Sequence, residues 1–493
     1  MSAAVLLAIV GVYCLLLFAV AWWTSRHADN DAFFVGNRRS NWMLVAFGMV
    51  GTSLSGVTFV SVPGAVGATG FSYFQIILGH FAGYLVIAFV LLPIYYGGRV
   101  TSIYGYLGDR LGPQSHRTGA GFFILSRTLG ATARLYLVVN ILQEALLDRL
   151  GIPFWLTTLA IIALILAYTF KGGVKTIVWT DTLQTLCMLI GLAVCAVFIL
   201  DALGLSLGES LARMDARGLS TMFVADPNDA HYWLKDLVAG VFIAIAMTGM
   251  DQEMMQKNIS VRTLADSQKN VVALSLVMLA VVLLFLYLGG LLYLYAPAAG
   301  ITATGDRLFP AVALGHLPAA VQVLFVIALV SALFPSADGA LTALTSSFCI
   351  DMLGLQARGD LNEARAQAIR RRVHLAFAAL FVFVVMAFHW ADSPSMIAVI
   401  LKLATYTYGP LLGLFAFGIL TRRAVRDAAV PVVAVVAPLA CLALDLGQEQ
   451  LFGSYRLGLE LLAVNGLITF AGLCLVSSAA GAPRSAPNSP PRG

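Results

Sequence analysis

The sequence predicts an all-α polytopic membrane protein of about thirteen transmembrane helices with a five-plus-five inverted repeat. Three observations carry that prediction. Of 493 residues, 60% are hydrophobic and 11% charged, whereas a soluble chain carries about 25% charged residues. Stretches of about 20 apolar residues, the length that crosses a hydrocarbon core of about 30 Å, recur along the whole chain. The basic residues also fall mostly on alternate loops.

Apolar runs between Gly, Pro and charge breaks place the crossings at 3–24, 42–70, 74–97, 119–147, 153–170, 176–200, 234–257, 270–296, 319–352, 373–390, 394–419, 428–446 and 457–477. The first run has no Lys or Arg before it and Arg26, Arg38 and Arg39 after it, the reverse of a signal peptide, so a retained helix is expected. With the N-terminus outside, most Lys and Arg, including Lys171, Lys175, Lys257, Arg370, Arg371 and Arg372, fall on the cytoplasmic side. Only Arg149, Arg213, Arg217, Lys235, Arg307 and Arg456 fall outside. The positive-inside rule therefore favours an external N-terminus and a cytoplasmic C-terminus in the cell membrane.

Setting aside the first helix and the last two leaves two groups of five, and an odd number per half inverts the second half. The organisation expected is an extra helix and cytoplasmic loop at 1–40, a first repeat at 41–203, an external loop at 204–232, a second repeat at 233–420, two helices at 421–480 and a disordered Pro/Ser/Gly-rich tail at 481–493. The external loop has the composition for a short surface helix. All six cysteines lie in apolar stretches without metal spacing, which reads as buried free thiols.

Two segments break the apolar pattern at membrane depth. Residues 51–64 contain three Gly, one Pro and five hydroxyl residues inside one crossing. Unwinding there frees carbonyls, and irregular backbone in a membrane is tolerated only against protein or a water-lined cavity. Such oxygens suit a hard alkali cation; a kinked helix packed through small residues is the alternative. The segment 332–339 carries Pro335, Ser336 and an ionisable Asp338. A carboxylate at that depth costs about 2.5–3.5 kcal/mol on insertion scales and so needs a task or a partner. Direct cation binding and a pair with Arg134 or Lys402 are both open.

At these residues the chain resembles the sodium:solute symporter family, whose members share the leucine-transporter fold. The most specific piece is Gly172, Gly173, Trp179, Thr180, Asp181 and Gln184, which are spaced as in the family's signature. Supporting pieces lie at 31–36, 55–63, 101–104, 251–256, 338–351 and 408–415. Those at 101–104 and 57–59 lean toward the vitamin, iodide and monocarboxylate branch rather than the sugar branch. The resemblance implies a cation site formed by carbonyls of Gly51, Leu54 and Ala332 with Ser336, and it puts Pro335 where the family usually has Ser. It also implies that Asp181 contributes to a second sodium site, a salt bridge near the cytoplasmic surface being the alternative.

The positions that bind sugar in the sugar-carrying members correspond here to Thr58, Ala244, Met247 and Lys402, and three of these make fewer directed hydrogen bonds. With Ser55, His80 and Arg134, the residues Thr58, Met247 and Lys402 form the expected substrate lining. Lys402 and Arg134 are cations near mid-membrane that call for an anion.

The function expected is therefore sodium-coupled symport of a small organic anion such as a carboxylate by alternating access. A sodium- or proton-coupled carrier of a neutral solute and a non-transporting sensor are the alternatives. No cofactor is expected beyond sodium as coupling ion, and the partners are sodium, a small solute and lipid. The net charge of +5 is spread over short loops, which excludes nucleic acid, and seven scattered His form no catalytic cluster. Oligomeric state is not legible.

Overall fold

The computed structural model describes residues 3–24, 40–98, 101–355, 363–391 and 395–478. The segment 31–36 and the expected tail at 481–493 lie outside them. The described chain is almost entirely helical. In order, its main helices are α1 (Ala3–Thr24), α2 (Trp42–Ser53), α3 (Gly56–Thr69), α4 (Tyr73–Val86), α5 (Pro113–Leu142), α6 (Phe154–Ala202), α7 (Leu207–Ala216), α8 (Trp233–Ala244), α9 (Gln252–Ile259), α10 (Leu264–Ala298), α11 (Ala319–Ser347), α12 (Glu363–Ala391), α13 (Met396–Thr407), α14 (Gly409–Leu420), α15 (Val430–Leu446) and α16 (Leu461–Leu475). A two-residue antiparallel pair, Ala424–Val425 with Ser477–Ser478, ties the loop before α15 to the end of α16.

Among the described residues, eight helices are long and apolar enough to cross a membrane, or up to eleven spans when each of three bent pairs is one. This is a multi-pass membrane protein. The expected crossings at 153–170 and 457–477 correspond to shorter apolar runs, Phe154–Ala167 and Leu461–Leu475. The first of these runs on into the next crossing as the single helix α6. The Gly172-Gly173 pair read as a break does not end the helix, because glycine costs about 1 kcal/mol in a helix but still donates its N–H.

Each bend has a local cause. Between α2 and α3 the direction changes by 55°. Leu54 leaves the helix with φ −93° and ψ 74°, while Ser55 is extended. That break is the one read from residues 51–64. Between the α8 span and α9 the bend is 65°, and there Asp251 caps α9 by accepting from the N–H groups of Glu253 and Met254. Between α13 and α14 it is 44°, just before Pro410. The first two bends fall in the first helix of each expected half.

The helix expected to break at Pro335 does not: α11 is continuous. A proline there removes one hydrogen bond, leaving the Ser331 carbonyl without its helical donor, yet surrounding packing holds the helix together. Residues 328–347 of α11 are all buried, so this helix is the core of the molecule and packs against α2, α3, α5, α6 and α9. Opposite it, α4 and α8 approach through Gly79 and Gly240. A Cβ on either would overlap a backbone carbonyl of the other helix, that of Leu237 or Ile76. The loop at 204–232 carries the expected short helix, α7, opened by a reciprocal capping box between Ser206 and Glu209. All six cysteines are free, four buried and two half-buried.

Candidate functional site

The α2–α3 break leaves the last carbonyls of α2 without partners in their own helix, those of Gly51 and Leu54 among them. Gly51 packs so closely on Thr185 of α6 that no side chain fits. A Cβ at Gly56 would sit 3.8 Å from the Ala332 backbone, so the break abuts α11 at the expected residue. Ser336 is buried, and its hydroxyl donates to the Leu333 carbonyl at 2.9 Å. Asp338 is fully buried, and its carboxylate accepts from the Gly339 N–H. The structure thus sets the α2–α3 break against α11 at Ala332, with Ser336 and Asp338 further along the same helix.

Beside the break lies a cavity of about 90 Å³. Ser55, Thr58, His80, Arg134 and Met247, five of the expected substrate residues, line it together. Half-buried His80 stacks edge-on against Tyr84 with ring centroids 6.4 Å apart, and its buried Nε2 has no hydrogen-bond partner. Arg134 projects from α5 into the cavity, and among the described residues no ion pair involves it.

The sixth residue, Lys402, is not there. Its neighbours Ile400 and Leu401 line the cavity, but the Lys402 side chain is 66% exposed and its ammonium lies 3.0 Å from Asp445 on α15. One residue is about 100° of helical rotation, enough to turn a side chain from a cavity to the outside of the bundle. The proposed pairing of Lys402 with Asp338 is therefore replaced by one with Asp445.

The structure adds a buried charge cluster that the sequence reading passed over. Lys257, placed above at the cytoplasmic end of a crossing, is buried on α9. Its ammonium donates to Asp181 Oδ2 at 2.7 Å and to Thr52 Oγ1 at 2.6 Å, and Glu253 Oε1 lies 3.5 Å away. Thr52 in turn donates to Asp181 Oδ2 at 3.1 Å. Arg127 of α5 pairs with Glu253 and lies 3.8 Å from Asp251, which also accepts from the Tyr408 hydroxyl at 2.9 Å. Glu253 fits because Gly339 on α11 has no side chain. Two signals for this cluster stood in the sequence: Glu253 and Lys257 at i,i+4 spacing inside an apolar crossing, and Arg127 inside another.

A second, larger cavity of about 740 Å³ opens where the end of α5 meets residues 302–315. Glu144, Asp306 and Arg307 are among its lining. Burial pushes the Asp306 carboxyl above the usual range, opposed by a hydrogen bond from the Met396 N–H at 3.0 Å. On the same loop-bearing side as α7, Gln75 donates to Asp236 and to the His231 carbonyl, and accepts from the Val224 N–H. That pins the 219–232 segment to the start of α4.

Comparison with known proteins places this architecture. A sodium-dependent multivitamin transporter from Oryctolagus cuniculus is 28% identical over 46% of this chain, although the chain spans only 36% of that relative. A human sodium/iodide cotransporter is 26% identical over 51% of this chain and 40% of its own length. A sodium/sialic acid symporter from Proteus mirabilis is 22% identical over 93% of both. Among solved structures, a substrate-bound outward-open Na+-coupled sialic acid symporter superposes with a TM-score of 0.82. That match covers 96% of this chain and 99% of that one at 17% identity, which establishes the shared fold. Mhp1, a nucleobase-cation-symport-1 family transporter in a closed conformation, gives 0.59 over 91% and 93% at 12% identity. The sodium:solute symporter family profile matches residues 33–433; by that match the chain belongs to the sodium:solute symporter family.

Proposed function

We propose that this protein is a secondary transporter in the cell membrane, with its N-terminus outside and C-terminus inside. It couples sodium entry to the uptake of a small organic anion, such as a carboxylate, by alternating access. Thirteen crossings with two inverted five-helix repeats provide the frame, and the two bent helices, α2–α3 and α8–α9, face the midplane.

The observation that carries the anion reading is Arg134. Arg127, Lys257 and Lys402 each have a carboxylate within ion-pair distance, whereas Arg134 faces the cavity with none among the described residues. A cation held out of water without a counter-charge is costly, and an incoming carboxylate relieves that cost through a planar two-point contact. Ser55, Thr58 and His80 supply polar groups, while Met247 and Ile400 give an apolar wall. The cavity of about 90 Å³ is smaller than the roughly 150 Å³ that admits benzene, which favours a small solute.

Sodium sits at the crossing of the α2–α3 break with α11, on the Gly51, Leu54 and Ala332 carbonyls and the Ser336 hydroxyl, with Asp338 supplying negative field. Pro335 brings no hydroxyl, but it frees the Ser331 carbonyl. Occupancy ties the two halves together in the outward-open state that admits solute; release to the low-sodium cytoplasm loosens the tie.

Thermal stability of the purified protein across a solute panel tests this reading. Small carboxylates should raise the melting temperature in sodium chloride and not in choline chloride. A sugar, polyol or neutral amino acid that does so while carboxylates do not would overturn the anion assignment.

A further inference from the structure

Lys257 is unusual among the basic residues because it ends in a cage. Its ammonium is held by oxygens from three separate helices: Thr52 Oγ1 of α2 at 2.6 Å, Asp181 Oδ2 of α6 at 2.7 Å and Glu253 Oε1 of α9 at 3.5 Å. Hard oxygens converging on a compact charge are the surroundings that both an ammonium and an alkali ion require.

We propose that the Lys257 ammonium is a resident cation filling a site that would otherwise take sodium from solution, so that one exchangeable sodium, at the α2–α3 and α11 crossing, serves each cycle. The inference rests on the sodium-coupled reading above and deepens it.

Three observations support it. Asp181 depends on Lys257 for neutralisation, since Arg127 is committed to Glu253 and Asp251. Fully buried Asp181 Oδ1 accepts no hydrogen bond, so the carboxylate of the cage holds unused acceptor capacity for a cation. The walls are also close: Glu253 packs on Gly339, which has no room for a side chain without displacing that carboxylate, and a Cβ on Gly48 would come within 3.2 Å of the Asp181 Cβ.

Equilibrium binding of radioactive sodium to the purified full chain in detergent tests the proposal without knowledge of the solute. Wild type is expected to bind one sodium per chain and Lys257→Ala two. The double variant Lys257→Ala/Asp181→Asn should return to one. A Lys257→Ala protein that binds no more sodium than wild type, or a wild type that binds two, overturns the proposal.

The outcome for sodium coupling is separable. Wild type binding none and Lys257→Ala binding one would sustain the cage and defeat the crossing site. None in either defeats both. Should Lys257→Ala not fold, Asp181→Asn, which keeps the ammonium, carries the test: its sodium affinity should stay within about twofold of wild type, and loss of the bound sodium overturns the proposal.

Discussion

Replacing Arg134 by Gln removes the cavity's uncommitted positive charge while leaving a shorter, neutral polar side chain. Among the described residues no carboxylate is within ion-pair distance of Arg134, so the change strands no buried partner, and the usual 3–5 kcal/mol cost of breaking a buried pair does not arise. What is lost is the charge-assisted contact to the solute, about 1.5–3 kcal/mol. At 1.4 kcal/mol per decade this is a rise in KM for a carboxylate of about tenfold to 150-fold. Arg134→Lys keeps the charge but loses the planar fork, and should fall between. The assay is initial-rate uptake into proteoliposomes at saturating sodium, with melting temperature as the control for folding. A folded Arg134→Gln protein whose KM for the carboxylate stays within about twofold of wild type would refute the anion argument.

Other substitutions probe other parts of the account. Lys402→Gln should leave uptake and charge preference within about twofold of wild type, because its ammonium points out of the bundle to Asp445 and not into the cavity; a large KM effect would return it to the cavity. Gly240→Ala drives a methyl group into the Ile76 carbonyl, and overpacking of about 1–3 kcal/mol should appear as a lower melting temperature. Gly339→Ala should push Glu253 away from Arg127 and Lys257, with a similar loss; an unchanged melting temperature in either would contradict the packing described. His231, whose Nδ1 lies 3.5 Å from Asp236, is held above its usual pKa of 6.5, chiefly by that hydrogen bond. Its contribution is fully present below pH 6.5 and is lost as pH rises through the elevated value. Because the imidazole is 48% exposed, the effect is small, under about 1 kcal/mol. His231→Gln should flatten the decline in melting temperature between pH 6 and 8, and a decline unaltered by that change would exclude this group.

Much of the architecture was legible because lipid imposes a simple rule: apolar runs of membrane length are helices, and polar residues inside them need a reason. Gly51 through Ser55 announced a break that is present, and Ser55, Thr58, His80, Arg134 and Met247 do share one cavity. Composition alone could not resolve helical phase, which is why Lys402 was placed one residue away from the wall it does not join. Proline misled in one direction at Pro335, where a fully buried helix absorbs the missing hydrogen bond. At Tyr408 to Pro410 the same signal went unread as a bend. Lys257 was placed at the cytoplasmic end of a crossing because a lysine at the end of an apolar run usually marks the water interface; here its own helix and two from distant parts of the chain fold oxygens around it. That kind of convergence is a tertiary fact, invisible to periodicity.

The stoichiometry has an energetic consequence. Moving one charge through about 100 mV is worth about 2.3 kcal/mol, but one sodium with one monovalent anion carries no net charge. Such a carrier concentrates its solute only as far as the sodium ratio allows, about tenfold, or 1.4 kcal/mol, for a tenfold gradient.

The most direct test is uptake of a labelled small carboxylate into proteoliposomes driven by an inward sodium gradient. The account predicts accumulation that collapses when choline or potassium replaces external sodium and that rises and falls with the sodium ratio. Uptake indifferent to sodium, or driven equally by an imposed proton gradient in its absence, would contradict it.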